Sequence, residues 1–237
     1  MLTGVNVGDF QPGLLPLLRA LEHVEGIERI RVSSIEPKLL TPGLVDYILA
    51  SGRVCPHFHI PLQSGSDQVL KLMRRRYTAG YYRDLVTSIK RREPLACIGA
   101  DVIVGFPGET GDLFADTAGF LADLPVSYLH VFTYSEREST AAPAFANAVP
   151  PAERFRRNEI LRTLGSRKRA EFAGGFLGTT VPVLFESKIR GSHIGGLTSH
   201  YLKVEAKGGL PLVNTIHNVA LKSFDGEVCF GEICTQN

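Results

Sequence analysis

Short runs of β-branched and aromatic residues alternate with amphipathic segments through the first 150 residues of this 237-residue chain. Five runs have the length and composition of buried strands, and they lie at 2–5, 30–34, 57–62, 98–104 and 128–134. Five segments have the apolar spacing of helices, and they lie at 14–24, 42–51, 67–75, 81–92 and 112–124. This alternation predicts an α/β fold with parallel strands joined by right-handed crossovers. Five strands are too few for an eight-stranded barrel of about 250 residues, so we expect an open, partial barrel, with a doubly wound sheet as the alternative.

The rest of the chain changes character twice. Pro150 and Pro151 open a helical stretch to about residue 172, which carries seven Arg or Lys residues against three Glu. Four strands are then predicted at 180–186, 201–206, 219–224 and 227–233, with glycine-containing turns at 195–196, 208–209 and 225–226. Short strands of this kind predict a small closed barrel of the OB type. We therefore predict a partial barrel at 1–149, a basic linking helix at 150–175 and a β-barrel at 176–237.

Composition excludes several classes of protein. With 44% hydrophobic and 21% charged residues, the chain is globular rather than disordered. No run approaches about 18 apolar residues, and no secretory signal is recognisable, which predicts a cytoplasmic protein without membrane contact. The four cysteines have no metal-ligand spacing, so we expect reduced thiols and no metal site. The net charge of +2 does not by itself predict nucleic-acid binding, but fifteen of the 26 basic residues cluster at 71–92 and 154–169.

Small and polar residues follow each predicted strand. Ligands bind at the carboxyl ends of parallel strands, so five such ends together predict one polar pocket. Alternatives remain open at three places: residues 105–109 could be a simple turn, residues 63–67 could cap the next helix through Ser66, and His57 and His59 could be hydrogen-bonded core residues, which we favour over metal ligands. Asp101 lies in an apolar strand, where a carboxylate is costly unless it is paired or liganded.

In order along the chain, LTGVNVGDF, RIRVSSIEP, CPHFHIPLQSGSDQVLKLMRRRYT, ADVIVGFPGET and HVFTYSERESTAA resemble the radical S-adenosylmethionine (SAM) methylthiotransferases. The last sixty residues look like the TRAM domain of these enzymes. SSIEP, HFHIPLQSGS and LHVFTYSER are most similar to the branch that modifies N6-threonylcarbamoyladenosine (t6A) at tRNA position 37. The branches that act on isopentenyladenosine or on a ribosomal-protein aspartate are the alternatives.

The resemblance implies a mechanism and its cofactors. In the family, a [4Fe–4S] cluster on a Cys-x3-Cys-x2-Cys loop cleaves SAM with an electron from an external donor, and the adenosyl radical takes hydrogen from C2 of the adenine. A second cluster supplies sulfur, and another SAM supplies the methyl group. This sequence has no such cysteine loop, and its first predicted strand starts without a preceding cap or helix. We therefore expect a truncated barrel that lacks its first strand, binds no cluster and does not turn over by itself.

The resemblance also implies roles for individual residues. SAM contacts are expected at the strand ends, from Gly4, Asn6, Ser34, Glu36, His59, Gln63, Gly105, Phe106 and Pro107. Asp101 would lie near the reacting centre, and no general acid or base is assigned. Contacts to the substrate, the tRNA anticodon loop, are expected from Arg75, Tyr134, Ser135, Arg137, Lys188, Arg190, Lys203, Lys207 and Lys222, with Arg75 alternatively meeting the SAM carboxylate. A non-catalytic RNA-binding protein on the same scaffold, or an unrelated α/β enzyme that binds a nucleotide at 105–109, are the competing hypotheses.

Overall fold

The computed structural model describes residues 1–4, 7–136 and 147–234, with the backbone alone described at 187–190. Helices and strands alternate in the first part, as the sequence predicts. In chain order they are α1 (Leu14–Glu22), α2 (Pro42–Ala50), β1 (His57–His59), α3 (Asp67–Leu72), α4 (Ala79–Arg92), β2 (Cys97–Val104), α5 (Gly111–Asp123) and β3 (Tyr128–Thr133). Thr41, Thr78 and Thr110 accept a backbone hydrogen bond at the starts of α2, α4 and α5. These caps satisfy N–H groups that a helix start leaves without partners.

The strands β1, β2 and β3 form a parallel sheet in chain order. Three isolated parallel bridges extend this order towards the start of the chain, and they join Leu2 with Val32, Ile30 with Val54, and Ser34 with His59. In place of the strands predicted at 2–5 and 30–34, the described residues form only isolated bridges, although these bridges are parallel as expected. Each bridge pairs single residues, as when Leu2 N donates to Arg31 O at 2.8 Å, and no continuous ladder forms in the described residues.

The two faces of the sheet differ in chemistry. Phe58, Ile98 and Val102 are buried in one apolar core that also includes residues of all six helices of the chain. Because successive side chains of a strand alternate between faces, the residues between them lie on the other face. The strand register aligns Asp101 with His130 and Gly99 with Tyr128. We call this second face the polar face, formed by His57, His59, Asp101, Tyr128 and His130.

The basic segment predicted at 150–175 is a helix, α6 (Pro151–Gly174), and it packs along β3. Leu161 is fully buried in the apolar core, and a Cβ atom at Gly165 would lie 3.2 Å from the Cβ of Leu129. Lys168 donates to the carbonyl oxygens of Ala122 at 3.1 Å and Leu124 at 2.7 Å. Although α6 has 24 residues, neither it nor any other described helix is apolar enough over such a length to cross a membrane.

The end of the chain forms a closed barrel of five strands, which confirms the predicted small β-barrel. The strands are β4 (Thr180–Arg190), β5 (His193–Thr198), β6 (Lys203–Lys207), β7 (Ile216–Phe224) and β8 (Cys229–Ile233), and their order around the barrel is β4-β5-β6-β8-β7. The turn predicted at 195–196 is wrong, because both glycines lie inside β5. A Cβ atom at Gly196 would lie 2.5 Å from the carbonyl oxygen of Leu184, so glycine serves close packing there.

The terminal barrel (β4–β8) contacts the sheet at the end where its strands begin. Arg29 donates to the carbonyl oxygens of Leu197 at 3.0 Å and Pro182 at 2.9 Å. Tyr201 stacks on His57, with ring centroids 4.3 Å apart. Since Arg29 precedes the Ile30 bridge and His57 begins β1, these contacts lie away from the carboxyl ends of the strands.

Candidate functional site

The carboxyl ends of the five parallel segments lie along one edge of the sheet, here called the carboxyl edge (residues 3–4, 34–36, 63–66, 105–109 and 134–136). Gln63 bridges to Val102, and Tyr134 N donates to Val104 O at 2.9 Å. Ligands of open parallel sheets bind at this edge. The structure places nine of the sequence-predicted residues there, namely Gly4, Ser34, Glu36, Gln63, Gly105, Phe106, Pro107, Tyr134 and Ser135. Two others, Asn6 and Arg137, lie outside the described residues.

The loop at 105–109 is more than a simple turn, because it is built around a buried ion pair. Gly105 and Gly108 have φ angles of 77° and 89°, which glycine adopts without strain. Glu109 Oε2 accepts from Gly105 N at 2.7 Å and from Arg157 Nη1 at 2.6 Å. A Cβ atom at Gly105 would lie 3.0 Å from Cδ of Arg154 and closer still to Cγ. Two arginines of α6 therefore fix the backbone of this loop.

Four side chains around the carboxyl edge carry buried polar atoms that have no partner within the described protein: Gln63 Oε1, Tyr134 Oη, Arg75 Nε and Glu109 Oε1. Gln63 also has a φ of 71°, unusual for a residue with a Cβ atom. Arg75 makes an ion pair of 3.4 Å with Glu36. Because buried polar atoms in proteins almost always have hydrogen-bond partners, these atoms indicate a site for a polar ligand.

The prediction that the Ser66 hydroxyl caps α3 is wrong. Ser66 occupies the cap position of α3, but its side chain makes no cap hydrogen bond. Instead Ser64 Oγ accepts from Ser66 N at 3.2 Å and lies 3.0 Å from the Thr117 hydroxyl. A Cβ atom at Gly65 would lie 2.9 Å from the Thr117 backbone, so glycine lets this loop approach α5 closely.

The polar face holds a second group of side chains, below the carboxyl edge. Asp101 Oδ1 lies 2.7 Å from His59 Nε2 and 3.3 Å from His130 Nδ1. Burial opposes ionisation of Asp101, but the hydrogen bonds from His130 and His59 outweigh it and lower the pKa of Asp101 to about 2. His57, whose Nε2 lies 2.9 Å from the Tyr128 hydroxyl, is buried, and burial lowers the pKa of His57 to about 3.

Two expectations about these residues are thereby resolved. Asp101 is paired, as its position in an apolar strand requires, and His59 lies with it on the polar face, bridged to Ser34 of the carboxyl edge. His130 was missed as a site residue. The signal that could have found it is the alternation of His130 with apolar neighbours in the strand predicted at 128–134, together with the parallel alignment that pairs it with Asp101.

A sequence model of the radical SAM superfamily matches residues 1–121, which include four of the five parallel segments. The chain belongs to the radical SAM superfamily. Among solved structures, it is similar to coproporphyrinogen III oxidase (HemN) from Escherichia coli, described as a radical SAM enzyme, with a TM-score of 0.52 and 20% identity over 65% of this chain and 36% of that one. This similarity is one of fold.

Curated relatives confirm the resemblance of this radical SAM chain to tRNA methylthiotransferases. It is 35% identical to "Threonylcarbamoyladenosine tRNA methylthiotransferase MtaB" of Chlamydia pneumoniae, over 98% of this chain and 56% of the relative. The protein of the same name from Aquifex aeolicus is 38% identical over 88% of this chain and 50% of that relative. "tRNA-2-methylthio-N(6)-dimethylallyladenosine synthase" of Endomicrobium trichonymphae is 34% identical over 98% of this chain and 56% of that relative. The chain thus spans about half the length of these relatives.

Radical SAM enzymes hold a cubane iron–sulfur cluster through cysteine thiolates. Cys55, Cys97 and Cys229 are buried free thiols, and burial raises the pKa of Cys97 to about 12 and that of Cys229 to about 11. Cys234 is exposed and close to the chain end. Within the described residues, no three cysteines lie together as a ligand set. As they are placed, these thiols do not form a ligand set that fits an iron–sulfur cluster.

The basic residues predicted to meet tRNA fall into different environments. Lys203 is ion-paired with Glu227 at 2.8 Å and Lys222 with Glu232 at 3.6 Å, whereas Lys207 is exposed on the same barrel. The side chains of Lys188 and Arg190 lie outside the described residues. On α6, Arg154, Arg157 and Lys168 are buried and bond to the fold, so they are not free for phosphate contacts.

Proposed function

We propose that this radical SAM chain is the SAM-binding and RNA-binding part of a tRNA methylthiotransferase, which places a methylthio group on C2 of t6A at position 37 of tRNA. The observation that carries the proposal is the carboxyl edge, where five loops far apart in sequence come together beside unpartnered polar atoms. The names of the relatives support tRNA methylthiolation, and the motifs SSIEP and HFHIPLQSGS favour t6A over isopentenyladenosine.

In this proposal the first part of the chain is a TIM-type partial barrel. The single apolar core, in which residues of every helix pack with the strands, supports it, because a doubly wound sheet would need helices on both faces. The terminal barrel would be an OB-like TRAM domain, and its five-stranded closure supports that assignment. The terminal barrel contacts the opposite end of the sheet, which leaves the carboxyl edge open for the anticodon loop.

SAM would lie along the carboxyl edge, and the residues there fit it. Gly105 and Gly108 allow close approach of a ligand to the backbone, and Phe106 packs edge-on against Tyr134 with ring centroids 5.3 Å apart, a surface suited to an adenine. Gln63 and Tyr134 have buried oxygens without partners that can accept or donate to hydroxyl or amino groups. Bound SAM would supply the adenosyl and methyl groups, and these residues would hold and orient it.

We expect the chain to bind SAM in a manner that depends on the Gln63 amide. Gln63→Met keeps the length of the side chain and removes its hydrogen bonds, so the affinity for SAM should fall about tenfold, the value of one hydrogen bond. Stability should not fall, because Oε1 of Gln63 has no partner in the protein. Equilibrium dialysis with labelled SAM measures the affinity.

Gln68→Met is the matched control, since Gln68 is exposed on the adjacent helix α3. It should bind SAM as the wild type does. The SAM site proposed at this edge is wrong if the wild-type chain binds no SAM at millimolar concentration, or if the two variants bind equally well.

The substrate is tested in cells. Deletion of the whole gene is expected to convert the methylthiolated t6A of tRNA to plain t6A, and mass spectrometry of tRNA nucleosides measures both. Methylthiolated isopentenyladenosine in the same digest is the internal control and should be unchanged. If that nucleoside is lost instead, the t6A assignment fails; if neither changes, the chain is better described as a non-catalytic RNA-binding protein. The 237 residues expressed alone should not restore the modification, because their cysteines do not fit a cluster.

A further inference from the structure

One group of side chains on the polar face is not used by the proposed SAM site. His59, Asp101 and His130 come from three neighbouring parallel strands, β1, β2 and β3. One nitrogen from each imidazole and one carboxylate oxygen all lie within 4.8 Å of one another. Within the part of the chain that the structure describes, this is the one cluster of three or more His, Cys, Asp or Glu side chains with such convergence.

The two separations that involve Asp101 are close to those of neighbouring ligands around one ion. Asp101 Oδ1 lies 2.7 Å from His59 Nε2 and 3.3 Å from His130 Nδ1. Ligands that each lie about 2.0–2.2 Å from a metal, at tetrahedral or octahedral angles, are about 3 Å from each other. The register that aligns Asp101 with His130 therefore brings the carboxylate close to both imidazoles, whose nitrogens lie within 4.8 Å of each other.

The charge at this position is compatible with a cation. The side chain of Asp101 is 19% exposed, and its ion-pair partners among the described residues are the two imidazoles. A largely buried carboxylate is costly without paired or metal partners, and among the described residues no arginine or lysine is ion-paired with Asp101.

We propose that His59 Nε2, Asp101 Oδ1 and His130 Nδ1 bind a divalent transition-metal ion. Two imidazoles and one carboxylate suit Zn²⁺, Fe²⁺ or Co²⁺ rather than Mg²⁺ or Ca²⁺, which prefer oxygen ligands. The side chain of His130 is 42% exposed, so one side of the ion remains open. Three protein ligands with an open position are typical of a metal that binds water or an oxygen-donor ligand, and not of a structural site.

The test is a titration of the full 237-residue chain, after treatment with a chelator, with Co²⁺ as the probe. We expect one equivalent of Co²⁺ to bind and to give visible d–d absorption bands. Asp101→Asn and His130→Ala should each weaken binding at least tenfold. His130→Ala keeps the experiment interpretable if the buried variant folds poorly, because His130 is the most exposed of the three ligands.

Two other histidines serve as matched controls. His23 is exposed next to α1 and His217 lies on the terminal barrel, so His23→Ala and His217→Ala remove an imidazole without touching the polar face. Both should bind Co²⁺ as the wild type does. The proposal is overturned if no stoichiometric Co²⁺ binds, or if His130→Ala binds as tightly as these controls; the cluster is then only a hydrogen-bonded triad. The SAM experiment is judged separately, since Gln63→Met removes none of the three proposed metal ligands.

Discussion

Replacement of Arg157 by methionine is expected to lower the free energy of unfolding by about 3–5 kcal/mol, one of the largest losses among single substitutions in this chain. The side chains of Arg157 and Glu109 are 5% and 0% exposed, and they are joined at 2.6 Å. Removal of the guanidinium leaves a buried carboxylate whose remaining hydrogen-bond partner among the described residues is the Gly105 amide. Equilibrium urea unfolding, followed by far-ultraviolet circular dichroism, measures the loss.

Arg156→Met is the matched control, because Arg156 lies next to Arg157 on α6. Arg156 is 60% exposed and pairs with Glu153, which also pairs with Arg157. An exposed pair contributes about 0–1 kcal/mol, so this variant should be nearly as stable as the wild type. Glu109→Gln combined with Arg157→Met should recover part of the loss, because no charge is left unpaired. Equal effects of Arg156→Met and Arg157→Met would show that the buried pair does not hold the loop.

The same ion pair ties stability to the proposed function. Glu109 Oε2 holds the amide of Gly105, and Arg154 packs against that glycine while donating to Tyr134 O at 3.1 Å. The loop that would cover the adenine of SAM is thus positioned by α6, a helix that follows it by more than forty residues. SAM binding by Arg157→Met, measured where the variant is still folded, should weaken in parallel with the loss of loop order.

The elements that the sequence predicts well are those with a strong local period. The helix predicted at 42–51 is found at Pro42–Ala50, and the strand predicted at 98–104 at Cys97–Val104, because apolar spacing and a threonine cap are local signals. Strand β5 was missed, because its glycine pair has the local signature of a turn. Glycine is present at 196 because the chain there approaches Leu184 of the neighbouring strand closely, a contact that no local sequence pattern indicates.

In the candidate site too, some residues could be predicted from the sequence and others could not. The strand-end residues were predicted from order alone, since parallel strands bring their carboxyl ends to one edge. Three of the seven basic residues of α6 are buried, and a charge run does not show that one of them, Arg157, faces a buried carboxylate. His130 was missed because its pairing with Asp101 depends on the register of β2 and β3.

Gly99→Ala is expected to destabilise the chain by about 2–3 kcal/mol, although it adds a single methyl group. A Cβ atom at Gly99 would lie 2.5 Å from Cε2 of Tyr128, and closer still to Cζ and Oη, so the Tyr128 ring must move. That movement breaks the 2.9 Å contact of its hydroxyl with His57 and disturbs the ring stack of His57 with Tyr201. Glycine at this position thus lets the polar face accommodate a tyrosine at its contact with the terminal barrel.

Gly119→Ala separates this packing effect from the general effect of replacing glycine. Gly119 lies exposed within α5, where nothing is within 4 Å of an added Cβ atom, so alanine should stabilise the helix by about 0.5–1 kcal/mol. The two variants should therefore shift the urea midpoint in opposite directions. Tyr128→Leu in the Gly99→Ala background should restore part of the stability, because the displaced ring is removed. A Gly99→Ala chain as stable as the wild type would mean that Tyr128 can leave its place freely, and that the terminal barrel is not held by this stack.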